Sequence, residues 1–346
     1  MTTATIDAPR ADFRTLTAKI RNTGLLDRRL GYYTVKVGLT VLLYAAGWSA
    51  LFIVGDSWVT LGVAAFLGFM FAQLGFIGHD AGHQQVFRSR RANKLLGLIV
   101  GNLLIGMSFS WWVAKHNAHH AHPNEIGRDP DLDEISATAD RTGVPSPQRG
   151  ISWIIARWPA ELFFPLMFLR SAGLHISGIQ RLSKQRDRAV AVEVSLIAAH
   201  AALYLTALAW LLSPLKAIAF IFVQQGVFSL YLGCSFAPNH KGMPIIDPDA
   251  QLGFAERQII TARNVAGGRL TTFLLGGLNF QIEHHLFPTM PRPNLKRAQS
   301  LVRGFCLESG FGYCEESLSG SFQQALSHMR AASKVNMSAP GSASVS

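Results

Sequence analysis

The chain has 346 residues, of which 49% are hydrophobic and only 15% charged, and its mean hydropathy is +0.22. A soluble domain carries about 25% charge, so the composition excludes an ordinary soluble protein and points to a membrane protein. The net charge of +11 is not a nucleic-acid signal: the basic residues are scattered through the polar segments, with no basic and aromatic patch among them. Excess Lys and Arg on the cytoplasmic side of a membrane accounts for the same value. Three cysteines, Cys234, Cys306 and Cys314, form no C-x-x-C pair and no disulfide framework.

In chain order, segment 1–32 is polar, with Asp7, Arg10, Asp12, Arg14 and Lys19, and lacks the apolar core of a signal peptide. Two apolar runs follow, 37–54 and 59–78, joined by Gly55, Asp56 and Ser57. A second pair, 190–212 and 217–236, is joined across Ser213, Pro214, Leu215 and Lys216. Each run is near the roughly 20 residues a helix needs to cross a bilayer, and such short links read as two helical hairpins. The apolar stretch 95–113 is interrupted by Gly97, Gly101 and Gly106, and reads as a buried or re-entrant helix. Segment 151–174 mixes Trp153, Trp158 and Phe163 with Arg157, Glu161 and Arg170, which suits one helix lying at the interface. The C-terminal segment, 312–346, turns rich in Ser, Ala and Gly from about Ser333 and reads as disordered there. The expected fold class is an all-α integral membrane protein, with four transmembrane helices in two hairpins and a cytoplasmic helical cap. Lys216 is the one basic residue in the two tips, so the positive-inside rule places both termini and the long polar segments in the cytoplasm.

Seven of the twelve histidines fall in three groups, all in those polar segments. His79 and His83 lie in HDAGH, His116, His119 and His120 in HNAHH, and His284 and His285 in QIEHH, where Gln281 shares the spacing. On a helix, residues three and four apart share a face, so each group can present its rings to one point. A lone histidine at a membrane surface is an ordinary polar residue. Three groups on one side of the membrane indicate metal, because imidazoles buried without partners carry a desolvation cost. Neutral imidazole suits iron, copper, nickel or zinc alike, so residue type does not choose among them.

The ordered set HDAGH, HNAHH, QIEHH resembles the three histidine boxes of the membrane fatty acid desaturase superfamily. The run GGLNFQIEHHLFPTMPRPNL at 276–295 is similar to the third box of the front-end and linoleoyl-CoA-type branch, where glutamine replaces the first histidine of the HxxHH form. The resemblance covers about 33–311, taken as the desaturase domain. It implies a di-iron centre with His79, His83, His116, His119, His120, His284 and His285 as ligands, and His240 of FAPNHKGMP as a further one. Gln281 is then a weak or water-mediated ligand, or a donor behind the ligands.

Other residues take provisional roles. Asp80 and Glu283 can orient imidazole N–H groups, as carboxylates commonly do. Asp129 and Asp131 either do the same or form a solvated turn at Pro130. Asn239, Asn264 and Asn279 are hydrogen-bonding groups near the metal or helix caps. His122, His175, His200 and His328 fall outside the pattern, with His200 read as a hydrogen bond between helices. Gln224 and Gln225 carry the same reading, and Trp111 and Trp112 either wall an acyl channel or sit at the interface.

The resemblance implies an enzyme that uses O2 and two electrons to insert a cis double bond into an acyl chain, carried by coenzyme A or by a lipid. No HPGG haem-binding segment is present, so the expectation is a separate electron donor, such as ferredoxin, rubredoxin or a flavoprotein reductase, and a bacterial inner membrane. A lipid hydroxylase or ketolase needs the same apparatus and stays open. A non-catalytic metal carrier calls for ionisable residues along a path through the membrane, and a zinc hydrolase for few ligands and an open position.

Overall fold

The computed structural model describes residues 12–133 and 150–338. Helix α1 (Phe13–Asn22) starts at Asp12, whose side chain accepts from the Arg14 amide at 2.9 Å. Its Leu16 and Ile20 are buried in one apolar cluster with Leu295, Val302 and Phe305. The polar lead-in is therefore partly a packed element, because two apolar residues four apart give even a short helix a buried face.

Helices α2 (Leu30–Val54) and α3 (Thr60–Gly82) make the first hairpin. Both run beyond their apolar stretches, since backbone hydrogen bonding does not stop where hydropathy does. Helix α3 carries His79 and Asp80 in its last turn, and His83 caps it.

The stretch read as re-entrant is bent: α4 (Arg90–Leu98) and the π-helical turn Ile99–Ile105 meet α5 (Phe109–Ala121) at 114°. Gly106 makes the corner at φ 82°, a conformation that glycine adopts without strain. A break among spanning helices is tolerated only where its backbone groups find partners, and here they do. Glu193 accepts from Asn102 Nδ2 and Ser108 Oγ, both at 3.0 Å, and from the Ser110 amide at 3.3 Å. Asn102 Oδ1 takes the Phe109 amide. His200 donates to the Leu103 carbonyl at 2.9 Å, His175 to that of Gly106 at 3.0 Å, and Tyr44 to that of Leu104 at 3.2 Å. His200 thus joins helices as expected, through a carbonyl.

After α6 (Pro130–Asp133) and the undescribed 134–149 come α7 (Ile151–Arg157) and α8 (Phe163–Ser183). The single interfacial helix expected over 151–174 is two helices, because Pro159 disfavours helical geometry in the residue before it. Helices α9 (Arg188–Leu211) and α10 (Pro214–His240) form the second hairpin. Gln224 accepts from the Tyr204 hydroxyl and from Gln225, which ties α9 to α10. Asp56 at the first tip accepts from Ser213 N at 2.9 Å and Ser213 Oγ at 3.1 Å, and pairs with Lys216 at 3.1 Å. The two tips therefore meet at one end. The four long apolar helices α2, α3, α9 and α10 are each able to cross a membrane by length and composition.

At the other end lie α11 (Phe254–Ile260), β1 (Asn264–Ala266), α12 (Arg269–Leu274), α13 (Gln281–Leu286), α14 (Arg292–Ser309), β2 (Glu315–Ser317) and α15 (Leu318–Ser338). Among the described residues the fold is mainly helical, and its two short strands form the parallel pair β1–β2, with Asn264 opposite Glu315. The described part of the segment from Ser333 is helical. Helix α15 continues to Ser338, with Ala325 and Met329 buried and Ser333 Oγ donating to the Arg157 carbonyl at 3.2 Å. A low-complexity tail cannot be told from a helix held by a few apolar anchors. The tail beyond Ser338, like Asp7 and Arg10, lies outside the described residues.

Candidate metal centre

Four separate stretches deliver the histidines: the end of α3, the last turns of α5, the last residue of α10, and α13. His79, His83, His116 and His284 bring one nitrogen each to within 4.8 Å of one another, and His119, His240 and His285 do the same. His120 stands between these sets. Its ring centroid is 4.2 Å from that of His285, 4.5 Å from His83, 4.6 Å from His116 and 4.8 Å from His284. All eight histidines singled out in the sequence are thus in one cluster, and the bend before α5 is what turns HNAHH back towards HDAGH.

Partners behind the rings hold several of them. His79 Nδ1 donates to Asp80 Oδ1 at 3.3 Å. His119 Nδ1 faces both oxygens of Asp129 at 3.0 Å. His240 Nδ1 donates to the Thr261 carbonyl at 2.9 Å, and His285 Nδ1 to Gln258 Oε1 at 2.8 Å. Each bond fixes the tautomer that puts the lone pair on Nε2, the usual support for a metal-bound imidazole, and at His240 that lone pair accepts from Gln281.

What the cluster lacks is equally informative. His79 Nε2, His83 Nε2, His120 Nδ1, both ring nitrogens of His284 and His285 Nε2 are buried without a hydrogen-bond partner. Such groups cost about 1–3 kcal/mol each. Burial pushes His83, His284 and His285 well below the usual imidazole value, and neighbouring imidazoles push them further, which favours the neutral form that a metal requires. The donor set fits a pair of metal ions.

Asp129 is fully buried. Burial raises a carboxyl pKa, but the hydrogen bond from His119 outweighs that and leaves Asp129 below the ordinary range. It also accepts from the amides of Asn124 and Asp131 at 2.7 and 2.9 Å, so the orienting role holds and the solvated turn does not. Asp131 is more exposed, pairs with Lys115 at 2.8 Å and lies 3.7 Å from His119 Nδ1. Gln281 donates to His240 Nε2 at 2.9 Å and accepts from Asn239 Nδ2 at 3.2 Å, within reach of the metal ligands.

Glu283 is a correction. Its carboxylate takes Asn264 Nδ2 at 2.7 Å and the Tyr313 hydroxyl at 2.8 Å, not an imidazole, because on α13 residues 281, 284 and 285 share a face and 283 points the other way. Burial raises its pKa, and the bonds from Asn264 and Tyr313 offset this only in part. Asn264 also receives the Ile282 amide and so shapes the start of α13. Asn279 bonds Thr272, His122 pairs with Glu125, and His328 is exposed; none of the three joins the cluster. Trp112 stacks on His116, with centroids 4.6 Å apart, while Trp111 caps a different, basic groove.

Two participating side chains were not singled out from the sequence. Arg292 is buried and pairs with Asp80 at 2.7 Å, and Gln258 holds His285 while donating to the His120 carbonyl at 2.9 Å. Arg292 stands in the PRPNL run just after the third box, which was the available signal; Gln258 had none.

The family model for fatty acid desaturases matches residues 56–317. The chain is 33% identical over 316 residues to a Delta(5) fatty acid desaturase of Caenorhabditis elegans, covering 87% of this chain and 69% of that protein. It is 30% identical over 317 residues to a Delta(6)-fatty-acid desaturase of the same organism, covering 87% and 70%. With an acyl-lipid (9-3)-desaturase of Physcomitrium patens it shares 29% over 324 residues, 89% of this chain and 60% of the relative's length. These relatives are eukaryotic and lend no support to the bacterial membrane expected above. With the match spanning most of the chain and all three histidine groups, the chain belongs to the fatty acid desaturase family.

Proposed function

We propose that the protein is a membrane fatty-acyl desaturase that converts a CH2–CH2 unit of an acyl chain to a cis double bond. Each turnover uses O2, two electrons and two protons, and the two hydrogens removed from the chain leave in two molecules of water. The observation that carries this reading is the buried convergence of His79, His83, His116, His119, His120, His240, His284 and His285, with several ring nitrogens left unpartnered. A pair of irons, when bound, supplies the oxygen reduction and C–H oxidation that side chains cannot perform.

The chain's own residues do the rest. Asp80, Asp129, Gln258 and the Thr261 carbonyl orient four imidazoles, and Arg292 balances the Asp80 charge. An apolar cavity reaches His79, so a chain lying there is held next to the metal ligands, in the fixed relation that orientation effects require. The histidine end is read as cytoplasmic, because the opposite tips carry one basic residue, Lys216. Electrons come from a separate donor of the ferredoxin, rubredoxin or flavoprotein reductase kind, and the basic surface suits an acidic partner or an acyl-CoA phosphate. The test is expression in a host lacking the product, followed by mass spectrometry of derivatised fatty acids. A new double bond, as a loss of two hydrogens, is expected. A gain of oxygen identifies a hydroxylase or ketolase instead, and unchanged lipids in iron-replete cells count against the proposal.

A further inference from the structure

Four glycines punctuate α3 towards its histidine end, and they are not equivalent. A Cβ on Gly68 would stand 2.5 Å from the Gln224 carbonyl oxygen, and one on Gly82 would stand 2.8 Å from Trp112 Cζ3. Close packing requires glycine at both. On Gly75 the nearest atom would be Leu232 Cδ1 at 3.6 Å, and on Gly78 it would be Val100 Cγ1 at 3.8 Å. Those are ordinary contacts, so nothing in the protein demands glycine at either position. Glycine inside a helix is the less stable choice relative to alanine.

Both residues border the cavity of about 50 Å³ that reaches His79, faced by Phe228 and Leu232 of α10 and by Trp112. What the cavity can hold is suggested by its walls. An apolar void stays dry, and this one meets the histidine cluster at His79. Gly75 lies one turn from His79 towards the hairpin tips, about 6 Å along the helix. The charged head of an acyl donor stays at the polar end, because burying it is costly. The part of the chain that passes Gly75 is therefore the methyl-terminal part.

We infer that Gly75 and Gly78 set the bore through which the methyl-terminal part of the acyl chain passes beyond His79, and so determine which chain lengths are accepted. The inference rests on the desaturase reading and names specificity determinants for that reaction. Filling the bore penalises chains that must reach past it and spares those that end before it.

The test compares wild type with Gly78→Ala, Gly75→Leu and the widening variant Leu232→Ala. Cells that supply their own donor are fed fatty acids of graded length, and iron content is measured alongside products. Gly75→Leu is expected to lower the ratio of long-chain to short-chain product roughly tenfold, the scale set by a few methylenes in an apolar pocket. Gly78→Ala lowers it less, and Leu232→Ala does not lower it. A second readout is quenching of Trp112 fluorescence by an acyl chain brominated near its methyl end, identified by its absence in Trp112→Phe. Wild type shows the quenching, and Gly75→Leu reduces it. An unchanged product ratio in Gly75→Leu at wild-type iron content overturns the inference, and so does an unchanged ratio in Gly78→Ala if Gly75→Leu does not accumulate. A wild type that makes no new double bond from any fed chain overturns the desaturase reading instead.

Discussion

Both carboxylate oxygens of Asp129 lie 3.0 Å from Nδ1 of His119, which turns the opposite nitrogen towards His240, 3.4 Å from its Nε2. Removing such a support typically costs 10–100-fold in metal affinity. Asp129→Ala is therefore expected to release iron at a roughly tenfold or greater lower chelator concentration than wild type, with Asp129→Asn intermediate because its amide oxygen can still accept. Identical chelation curves would show that His119 needs no support from this side.

Arg292 and Asp80 form a buried pair at 2.7 Å. Deleting one partner of such a pair strands a charge and costs about 3–5 kcal/mol. Arg292→Met should lower the unfolding temperature in detergent, and the double variant Arg292→Met with Asp80→Asn should recover a large part of the loss. A double variant no more stable than the single one would place the Arg292 contribution in its packing against Phe76.

Glu193 is an acid inside a spanning helix with three donors aimed at it. Glu193→Ala strands Asn102, Ser108 and the Ser110 amide, at about 1–3 kcal/mol for each group. Glu193→Gln keeps an accepting oxygen and should lose less. Proteolysis of detergent-solubilised protein reads this out: faster cleavage between α4 and α5 is expected for the alanine variant, and equal rates for all three proteins would contradict the anchoring role.

The contact between Asp56 and Ser213 places both hairpin tips together, away from the histidines. Asp56→Cys and Ser213→Cys should be linked by a short bis-maleimide, and an impermeant thiol reagent should label them from the membrane face opposite the metal centre. Labelling of a tip cysteine and of an exposed cap cysteine from the same face would contradict the topology.

Much of this arrangement was legible in the sequence, for identifiable reasons. Long apolar runs report spanning helices directly, and clustered histidines are rare enough to stand out; hence α2, α3, α9, α10 and the eight ring positions were found. The interruption of 95–113 followed from its glycines, but the 114° bend depends on Glu193, His175 and His200, which are distant in sequence. Arg292, Gln258 and the true partners of Glu283 escaped for the same reason: a side chain that acts through one long-range hydrogen bond leaves no periodic trace. Asp129 lay between two readings until its burial separated them. Packing of α1 and α15 was missed because a few apolar anchors in a polar segment resemble chance.

The claim on which the rest depends is that eight histidines from four stretches hold two metal ions. Metal analysis of protein purified from iron-replete cells, with X-ray absorption at the iron edge, tests it most directly. The account predicts close to two irons per chain in a nitrogen-rich shell, and loss of iron in His284→Ala and in His119→Ala. One iron or none per chain, or two irons retained when both histidines are removed, would contradict it.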